Sequence, residues 1–472
     1  MKRTISQVAS RILFPIEPMD IKHYSRWLVY EIRKSWKLSL VIISGFVLVF
    51  FAFAASTANQ SVYKVVVDAG STGTRVHVFH FQSPKFTLRN YEVTEADLSL
   101  IAIPLFTKVP GGLSSFADNP KASRAGLLEL MQKARNVVPE KLWAETEVIL
   151  MATAGLRLLK EVQAEAILTE ARSALSESGF KLGIVDTIDG KLEAKFMFMM
   201  THFVSNQDDA KHMAIVDLGG GSVQLAYKTS PGLPDLNPAV AKEAEHYLDR
   251  SKRSTLYVHS WLGYGLVAFR LRALELAGAG QPHPCVPQWT PAGTSYKYGD
   301  KEVVVVAVTS KGTVSACTDL MRTAINTRDN EEQCKLISLS WAVSDQCGLT
   351  GSWLGPMEPN SITEWRVFSY IFDLALSEGL VASGAPEAAI SANDFLKAAA
   401  PHCEASEAPT SDNHEWWKCI DLVYISTLLT DGFKLDPNFK LRVTKHFSYN
   451  GEIELEAAWP LGAAIAAIKN EL

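Results

Sequence analysis

The sequence has little that would point to nucleic acid or to zinc. Its formal charge is −5, and no extended run of Lys or Arg occurs in the body of the chain, so no basic binding surface is expected. The six cysteines form no CxxC pair and no cluster with histidine, and the 11 histidines show no ligand spacing. The GxxxxGK(S/T) pattern of a Walker A phosphate loop is absent as well. These absences count against nucleic-acid binding, a zinc site and a P-loop fold.

Charge is also missing from one long stretch near the N-terminus. Leu38–Ala55 is 18 residues without a charged side chain, about the length that crosses a bilayer, and no second apolar run of that length follows. The preceding residues 1–37 are rich in Lys and Arg, which predicts a cytoplasmic tail and a body on the other side of the membrane. We therefore expect a signal-anchor at 38–55 and a single-pass type II membrane protein of the Golgi lumen or the cell surface. The alternative is a secretory signal cleaved after Ala55, which would release the body.

The cysteines agree with a body outside the cytosol. All six lie in the C-terminal part, and their even number and spacing suit three local disulfides. The local pairing is one of fifteen possible ones. It gives the bridges Cys285–Cys317, Cys334–Cys347 and Cys403–Cys419. Asn59 begins a glycosylation sequon just after the apolar stretch, so a glycoprotein is expected.

The length and the hydrophobic pattern predict an α/β protein of two lobes. At 472 residues, 47% of them apolar, the chain is too long for one compact core. Strands and helices alternate in the first half, as in an α/β fold. Strands are predicted at 63–67, 75–81, 147–152 and 183–188. Helices are predicted at 120–138, with Asn119 as the N-cap, and at 160–178. A loop is predicted at 276–301, less regular structure at 300–440, and a short apolar helix ending at 468.

Two similar glycine-rich turns stand out, each headed by an aspartate at the end of an apolar strand. We call Asp68–Thr74 the first aspartate loop and Asp217–Ser222 the second aspartate loop. Their glycines permit backbone conformations that a Cβ forbids, and their N–H groups and hydroxyls can converge on an anion such as a phosphate. A carboxylate facing a phosphate would repel it unless a hard cation lies between them. The pair of loops therefore predicts Mg²⁺ or Ca²⁺, held partly through water.

Several motifs together resemble one family. They are "DAGSTGTR" (68–75), "ATAGLRLL" (152–159), "IDGKLEAKF" (188–196), "DLGGGSVQLAY" (217–227) and "AAWPLGAAI" (457–465). In combination they are similar to the apyrases, or ecto-nucleoside triphosphate diphosphohydrolases, and to plant apyrases in particular. The resemblance covers nearly everything after residue 61.

The resemblance implies a two-lobed actin-like fold, which is a duplicated ribonuclease H-like α/β fold with the active site in the cleft between the lobes. The N-terminal lobe would comprise 61–189 and 451–472, and the C-terminal lobe 190–450. The implied activity is cation-dependent hydrolysis of the terminal phosphates of nucleoside tri- and diphosphates by an activated water, with Ca²⁺ or Mg²⁺. We expect a monomer or a weak oligomer.

The resemblance also implies a role for individual residues. Glu193 would be the general base, with Ser222 and Gln224 orienting the attacking water, and Asp68 and Asp217 would hold the metal through water. Thr153 and Trp459 would line the metal and phosphate pocket. The phosphates would be bound by Gly70, Ser71, Thr72, Thr153, Gly219, Gly220, Gly221 and Ser222. The candidates for binding the base are Trp416, Trp417 and Tyr370.

Three points stay open in the sequence. The family pattern E-G-x-Y is replaced here by Glu193-Ala194-Lys195-Phe196, so Ala194 would be strained if its φ were positive, and Glu193 could instead be the exposed end of a helix. Arg75 could support the anionic site or point outward. The alternatives to an apyrase are a catalytically weakened nucleotide-binding protein on the same fold and an exopolyphosphatase-like hydrolase.

Glu452, Glu454 and Glu456 alternate as on a strand edge and are predicted to be solvated.

Overall fold

A computed structural model describes most of the chain from residue 59 onward. The described ranges are 59–84, 97–205, 212–229, 244–249, 252–278, 280–310, 312–326, 347–352, 354–355, 362–408 and 415–472. The predicted tail and anchor, residues 1–55, lie outside them. Within the described ranges, no helix has both the length and the apolar composition of a membrane span.

The first lobe is built on a five-stranded sheet in the order β3-β2-β1-β4-β5. Strands β1, β4 and β5 run parallel, and β3 is antiparallel to β2. Alternate residues of β1 face opposite sides, so Val65 and Val67 pack under the helices of this lobe while Val66 faces the other lobe. The strands are β1 (Asn59–Ala69), β2 (Gly73–Pro84), β3 (Ser99–Pro110), β4 (Glu147–Ala152) and β5 (Lys181–Thr187), and the helices α1 (Ser123–Val137), α2 (Ala154–Arg157) and α3 (Glu161–Ser176).

The second lobe repeats this arrangement. Its seven-stranded sheet has the order β13-β14-β12-β6-β7-β9-β8, in which β6, β12 and β14 run parallel and β7 and β9 antiparallel. The five strands β9-β7-β6-β12-β14 therefore correspond one to one with β3-β2-β1-β4-β5. Its strands are β6 (Met213–Leu218), β7 (Ser222–Thr229), β8 (Ala244–Asp249), β9 (Lys252–Leu262), β12 (Glu364–Ser369), β13 (Glu387–Ile390) and β14 (Leu441–Thr444).

Further helices and two hairpins lie between residues 266 and 456. The hairpins are β10 (Ser295–Tyr298) with β11 (Lys301–Val304), and β15 (His446–Tyr449) with β16 (Ile453–Glu456). The helices are α5 (Leu266–Leu276), α6 (Val314–Ile325), α7 (Tyr370–Ser377), α8 (Ala392–Cys403) and α9 (Lys418–Thr427). The prediction of a loop over 276–301 is thus wrong in its last part, and 300–440 is more regular than predicted, because tertiary packing orders segments whose local pattern is weak.

Two helices fill the space between the two sheets. They are α4 (Gly190–Val204) and α10 (Pro460–Lys469). Their apolar side chains form one core cluster with residues from the inner faces of both sheets, for example Val66 and Ile149 on one side and Ile215 and Val258 on the other. Every residue of α4 from Phe196 to Met200 is fully buried, so this helix has no solvent face there. The duplicated two-lobed α/β architecture implied by the resemblance is confirmed.

The disulfides lie in the second lobe. The structure contains Cys285–Cys317 and Cys403–Cys419, the expected pairs. Cys347 is also disulfide-bonded, and Cys334, its predicted partner, lies outside the described residues. The thiols of Cys317, Cys403 and Cys419 lie within 4.8 Å of one another, and all three are already committed to these bridges rather than free to bind a metal.

Gly462 of α10 lies directly against the backbone of α4. A Cβ on Gly462 would lie 1.9 Å from the carbonyl oxygen of Phe196 on α4, far closer than any real Cβ contact. Gly462→Ala should therefore force the helices apart and lower the free energy of unfolding by about 3 kcal/mol or more. Thermal or denaturant unfolding of the purified body, residues 57–472, measures this.

The matched control is Gly126→Ala in α1. There a Cβ would make an ordinary contact, 3.4 Å from Cγ2 of Val109, and alanine is the better helix former. The same substitution should leave stability unchanged or raise it by up to about 1 kcal/mol. Equal melting temperatures for the two variants would contradict the close approach of α4 and α10.

Candidate active site

The two aspartate loops lie opposite each other at one cleft. Asp68 at the end of β1 and Asp217 near the end of β6 are each only 7% exposed. Both line a cavity of about 590 Å³, together with Gly70 to Gly73 and Gly219 to Ser222. The topology explains the meeting, because each loop joins the same pair of strands in one of the two repeated sheets. The structure thus brings the two predicted half-sites together.

Glycine at positions 220 and 221 lets the second aspartate loop come close to the first lobe. A Cβ on Gly220 would lie 2.5 Å from Oγ of Ser71 in the opposite loop, and one on Gly221 would lie 2.7 Å from Cβ of Ala154. The N-terminal turn of α5 holds the second aspartate loop from behind. The amides of Leu266 and Val267 donate to the carbonyls of Gly219 (2.9 Å) and Gly220 (3.0 Å). The carbonyls of the loop are therefore occupied on the far side of the cleft.

Asp68 is an incompletely satisfied buried acid. Its Oδ2 lies 3.4 Å from Nη1 of Arg75, and its Oδ1 is buried without a hydrogen-bond partner among the described residues. Burial raises the pKa of Asp68 to about 6, against the opposing charge of Arg75 and with smaller contributions from Asp217 and Glu456. Arg75 also lines the cavity, so of its two predicted orientations the one toward the anionic site is observed.

Asp217 has a different environment. The hydroxyl of Ser369, at the end of β12, donates to its Oδ1 at 2.6 Å. Burial raises the pKa of Asp217, while the hydrogen bond from Ser369 and the positive charges of Arg75 and Lys445 hold it down. The two aspartates thus lie in one cleft but have different hydrogen-bond partners.

The donor set fits a hard cation. Asp68, Asp217 and Glu456 all line the same cavity. The charges of Asp217 and Glu456 raise the pKa of Asp68, and the charge of Glu456 also raises the pKa of Asp217. Carboxylate oxygens are the ligands that Mg²⁺ and Ca²⁺ prefer. The buried Oδ1 of Asp68 has no hydrogen-bond partner in the described part of the chain, although a buried oxygen normally has one. Glu456 was predicted to be solvated. That prediction is wrong. Glu456 is the last residue of β16, its side chain lines the cleft, and its Oε1 lies 3.4 Å from Nζ of Lys445.

Glu193 lies in the first turn of α4 and faces the same cavity. Asp189 caps this helix by accepting a hydrogen bond from the amide of Lys191 at 2.9 Å. Glu193 is 7% exposed, so the alternative that it is the exposed end of a helix is wrong. Burial raises its pKa to about 8, and the charge of Arg157 acts in the opposite direction. A carboxyl with this pKa can exchange a proton near neutral pH.

Arg157 is the partner of Glu193 that the sequence did not single out. Its Nη2 donates to Oε2 of Glu193 at 2.7 Å and to Oγ of Ser222 at 3.2 Å. Gln224 completes the group: its Nε2 contacts Oε2 of Glu193 at 3.1 Å, Oγ of Ser222 at 2.7 Å and Oγ of Ser260 at 3.1 Å. Arg157 belongs to the motif "ATAGLRLL", which the sequence analysis did identify. The motif alone, however, does not indicate that Arg157 contacts Glu193.

The altered third motif introduces no strain. Ala194 is a buried residue inside α4 and is not among the described residues with positive φ. Lys195 does not line the described cleft.

Of the remaining predicted residues, Thr153, Trp459 and Tyr370 line the cleft and two tryptophans do not. Trp416 is 6% exposed and packs edge-on against Tyr296 and Trp417. Trp417 lies under the guanidinium of Arg270, 5.1 Å from the ring centroid. Both rings pack against the core of the second lobe, so the structure does not bring Trp416 and Trp417 to the cavity as base-binding residues.

The chain matches known proteins over most of its length. A family model described as GDA1/CD39 (nucleoside phosphatase) matches residues 54–471. The apyrase of Solanum tuberosum is 33% identical over 434 residues, which cover 86% of this chain and 88% of that protein. The nucleoside-triphosphatase of Pisum sativum is 32% identical over 429 residues, covering 86% and 88%. Ectonucleoside triphosphate diphosphohydrolase 5 of Bos taurus is 29% identical over 432 residues, covering 87% and 88%.

The fold also has a counterpart among solved structures. Nucleoside triphosphate hydrolases from Neospora caninum align with a TM-score of 0.52 over 92% of this chain and 98% of that chain. The sequence identity is 14%, so this likeness bears on the fold alone.

The raised pKa of Glu193 predicts a pH-dependent stability. Between about pH 4.5 and 8 the folded chain keeps a proton on Glu193 that the unfolded chain has lost, so stability falls as pH rises through this window. Glu193→Gln lacks the titrating group. Its melting temperature relative to the native chain should therefore rise by several degrees between pH 5 and pH 8, measured in EDTA. A difference that stays constant with pH would contradict the burial of a protonated Glu193.

Proposed function

Since the chain belongs to the GDA1/CD39 (nucleoside phosphatase) family, we propose that it hydrolyses the terminal phosphates of nucleoside tri- and diphosphates with Mg²⁺ or Ca²⁺. The observation that carries the proposal is the shared cleft. Two aspartate loops from repeated lobes and one buried glutamate of raised pKa line a single cavity. This combination suits the attack of a water on a phosphoryl group, which needs a proton acceptor, donors for the equatorial oxygens and a cation.

In this reaction the two loops bind the phosphate chain from opposite sides. The backbone amides and hydroxyls of Gly70 to Thr72 and of Gly220 to Ser222 would donate to phosphate oxygens, and Arg75 adds positive charge beside the first loop. The amide of Gly219 donates to the carbonyl of Ser222 and closes the second loop. Asp68 and Asp217 would hold the cation, with water between them and the metal. A bound cation neutralises charge on the phosphate oxygens and helps to orient the chain.

Glu193 accepts the proton of the attacking water. Arg157 and Gln224 both contact its Oε2, which leaves Oε1 to receive that proton. Ser222 lies at the junction of Arg157 and Gln224, so its hydroxyl is held where it can orient the water. No covalent intermediate is required, because water is the nucleophile throughout.

A phosphate-release panel tests the proposal. The purified body, residues 57–472, should release phosphate from ATP and ADP with Mg²⁺ or Ca²⁺ and should lose this activity in EDTA. Glu193→Gln should lower kcat by about 100-fold or more, because the water loses its proton acceptor. The control is Glu452→Gln, an exposed acid in the turn between β15 and β16, which should keep native activity.

The other outcomes of the panel separate the alternatives. Binding of ATP without phosphate release would identify a catalytically weakened nucleotide-binding protein. Release from inorganic polyphosphate but not from nucleotides would identify an exopolyphosphatase-like hydrolase. Including UDP and GDP would define the nucleobase preference, for which Tyr370 is the described candidate in the cleft.

Arg157 predicts a shift in the pH profile. The rate should rise with pH as Glu193 ionises, and the charge of Arg157 favours that ionised form. Arg157→Gln removes the charge, so the ascending limb of log kcat against pH should move to higher pH. Arg157→Lys keeps the charge and should leave the limb near its native position while lowering kcat, since one ammonium replaces a guanidinium that contacts both Glu193 and Ser222.

The control for this series is Arg172→Gln, which removes an exposed arginine paired with Glu165 on α3. It should change neither the limb nor kcat. An ascending limb at the same pH in Arg157→Gln and in the native chain would show that Arg157 does not act through Glu193.

For the location of the protein, we propose a type II membrane protein with its body in the Golgi lumen or outside the cell. The uncharged stretch 38–55 after a basic lead and the disulfides of the second lobe support this, because disulfides persist in oxidising compartments. Protease added to sealed vesicles should cut residues 1–37 and spare the body. Protection of the tail, or full release of the chain into the soluble fraction, would speak against the anchor.

A further inference from the structure

One residue of the cleft has a backbone conformation that usually belongs to glycine. Ser369 has φ +60° and ψ −124° at the junction between β12 and α7. Among the described non-glycine residues, positive φ also occurs at Thr350, Lys434, Asn450 and Asn470, none of which lines the cleft. An L-residue with a Cβ is strained here, and such strain persists only where the surrounding structure compensates for it.

The side chain of Ser369 donates a short hydrogen bond to an acid of the cleft. Its Oγ donates to Oδ1 of Asp217 at 2.6 Å, across 152 positions of sequence. The strands bring the two together, because β12 runs parallel to β6 with Phe368 opposite Asp217 and Ser369 opposite Leu218. The positive φ occurs one residue beyond the level of Asp217, where the chain leaves the sheet and Ser369 lines the cavity.

The hydroxyl restrains a torsion that is otherwise soft. The carboxylate of aspartate rotates about a broad, two-fold χ2, so burial alone does not fix which oxygen faces the cavity. A hydrogen bond to Oδ1 does fix it and leaves Oδ2 for another partner. For the equivalent acid of the first lobe, Asp68, the described residues supply no such hydroxyl: Arg75 contacts its Oδ2 at 3.4 Å, and its Oδ1 has no partner among them.

We propose that Ser369 is a positioning residue for the cation of the cleft: its hydroxyl holds the carboxylate of Asp217 in the orientation that receives the hydrated metal. Ser369 itself contacts neither the metal nor the substrate in this role. The inference rests on the proposed function for the identity of the ligand, a divalent cation, and on the contact with Asp217 for the residue. Groups that orient metal-holding side chains typically change metal affinity by about 10- to 100-fold when removed.

The experiment compares two substitutions that separate the hydroxyl from the backbone. Ser369→Ala removes the hydroxyl and keeps a Cβ in the strained conformation, whereas Ser369→Gly removes the hydroxyl and relieves the strain. Binding of Ca²⁺ or Mg²⁺ to the body is measured directly, as the rise in melting temperature with cation concentration in the absence of nucleotide. We expect the half-saturating concentration to increase about tenfold in both variants.

Phosphate release from ADP gives a second readout. Both variants should need about tenfold more cation for half-maximal rate, and raising the cation should restore much of kcat with little change in KM for ADP. Ser369→Gly should also melt above Ser369→Ala in EDTA, since glycine tolerates the positive φ. It is therefore the variant that keeps the test valid if Ser369→Ala folds poorly.

Asn450→Gly is the matched control. Asn450 has φ +55° in the exposed turn between β15 and β16, so the same relief of backbone strain occurs away from the cleft. It should leave the half-saturating cation concentration unchanged. A native value in Ser369→Gly overturns the proposal: it would show that the hydroxyl is dispensable, and if Ser369→Ala were impaired at the same time, that backbone strain alone explains the loss.

The outcomes for the inference and for the function are distinguishable. If the native body binds the cation in a Ser369-dependent way but releases no phosphate from any nucleotide, the proposed function fails and the role of Ser369 stands. If the native body is an EDTA-sensitive nucleotide hydrolase and Ser369→Gly has native cation binding, the function stands and the role of Ser369 is overturned.

Discussion

The mutual repulsion of buried carboxylates is the constraint on which the site depends. Asp68 and Asp217 lie in one cleft with little solvent to screen them, and burial raises the pKa of each. Side chains with this charge would separate if they were free to move. They are held because the strands that end in them belong to two sheets packed on the shared helices α4 and α10. Apolar packing between the lobes therefore keeps the two carboxylates close together, and a bound cation would reduce the repulsion between them.

The two halves of the site have the same topology and different chemistry. In each lobe an apolar strand ends in aspartate, a glycine turn follows, and an antiparallel strand begins. Yet Asp68 is held by a guanidinium with one oxygen left over, and Asp217 by a neutral hydroxyl at short distance. The positive charge of Arg75 offsets the repulsion at Asp68, whereas the hydroxyl of Ser369 restrains the side-chain torsion of Asp217. The two acids of the cleft are therefore not equivalent. The repeated topology sets the positions of the two loops, and the residues that contact each loop determine its chemistry.

Local sequence patterns could predict the loops and the architecture but not the contacts that tune them. The pattern of an apolar strand followed by Asp and Gly can be recognised within seven residues of sequence, and the alternation of strands and helices indicates α/β lobes. Arg157 and Ser369 act on residues that are 36 and 152 positions away, so no local pattern reveals them. Alternation also misled at Glu456: a two-residue period identifies a strand, and it does not say whether an outward face meets solvent or a cleft. Trp416 and Trp417 show the same limit for aromatics, because ring chemistry suits a base and a core equally well.

The position of Glu193 links the catalytic group to the packing of the lobes. Glu193 belongs to the first turn of α4, and Phe196, less than one turn later, lies against Gly462 of α10. Its carboxylate contacts Arg157 from the first lobe and Gln224 from the second. A movement of one sheet against the other must therefore shift at least one of these contacts, since α4 packs against both sheets. Burial makes Glu193 basic enough to take a proton, Arg157 keeps it ionisable, and both effects depend on the two lobes meeting along this one helix.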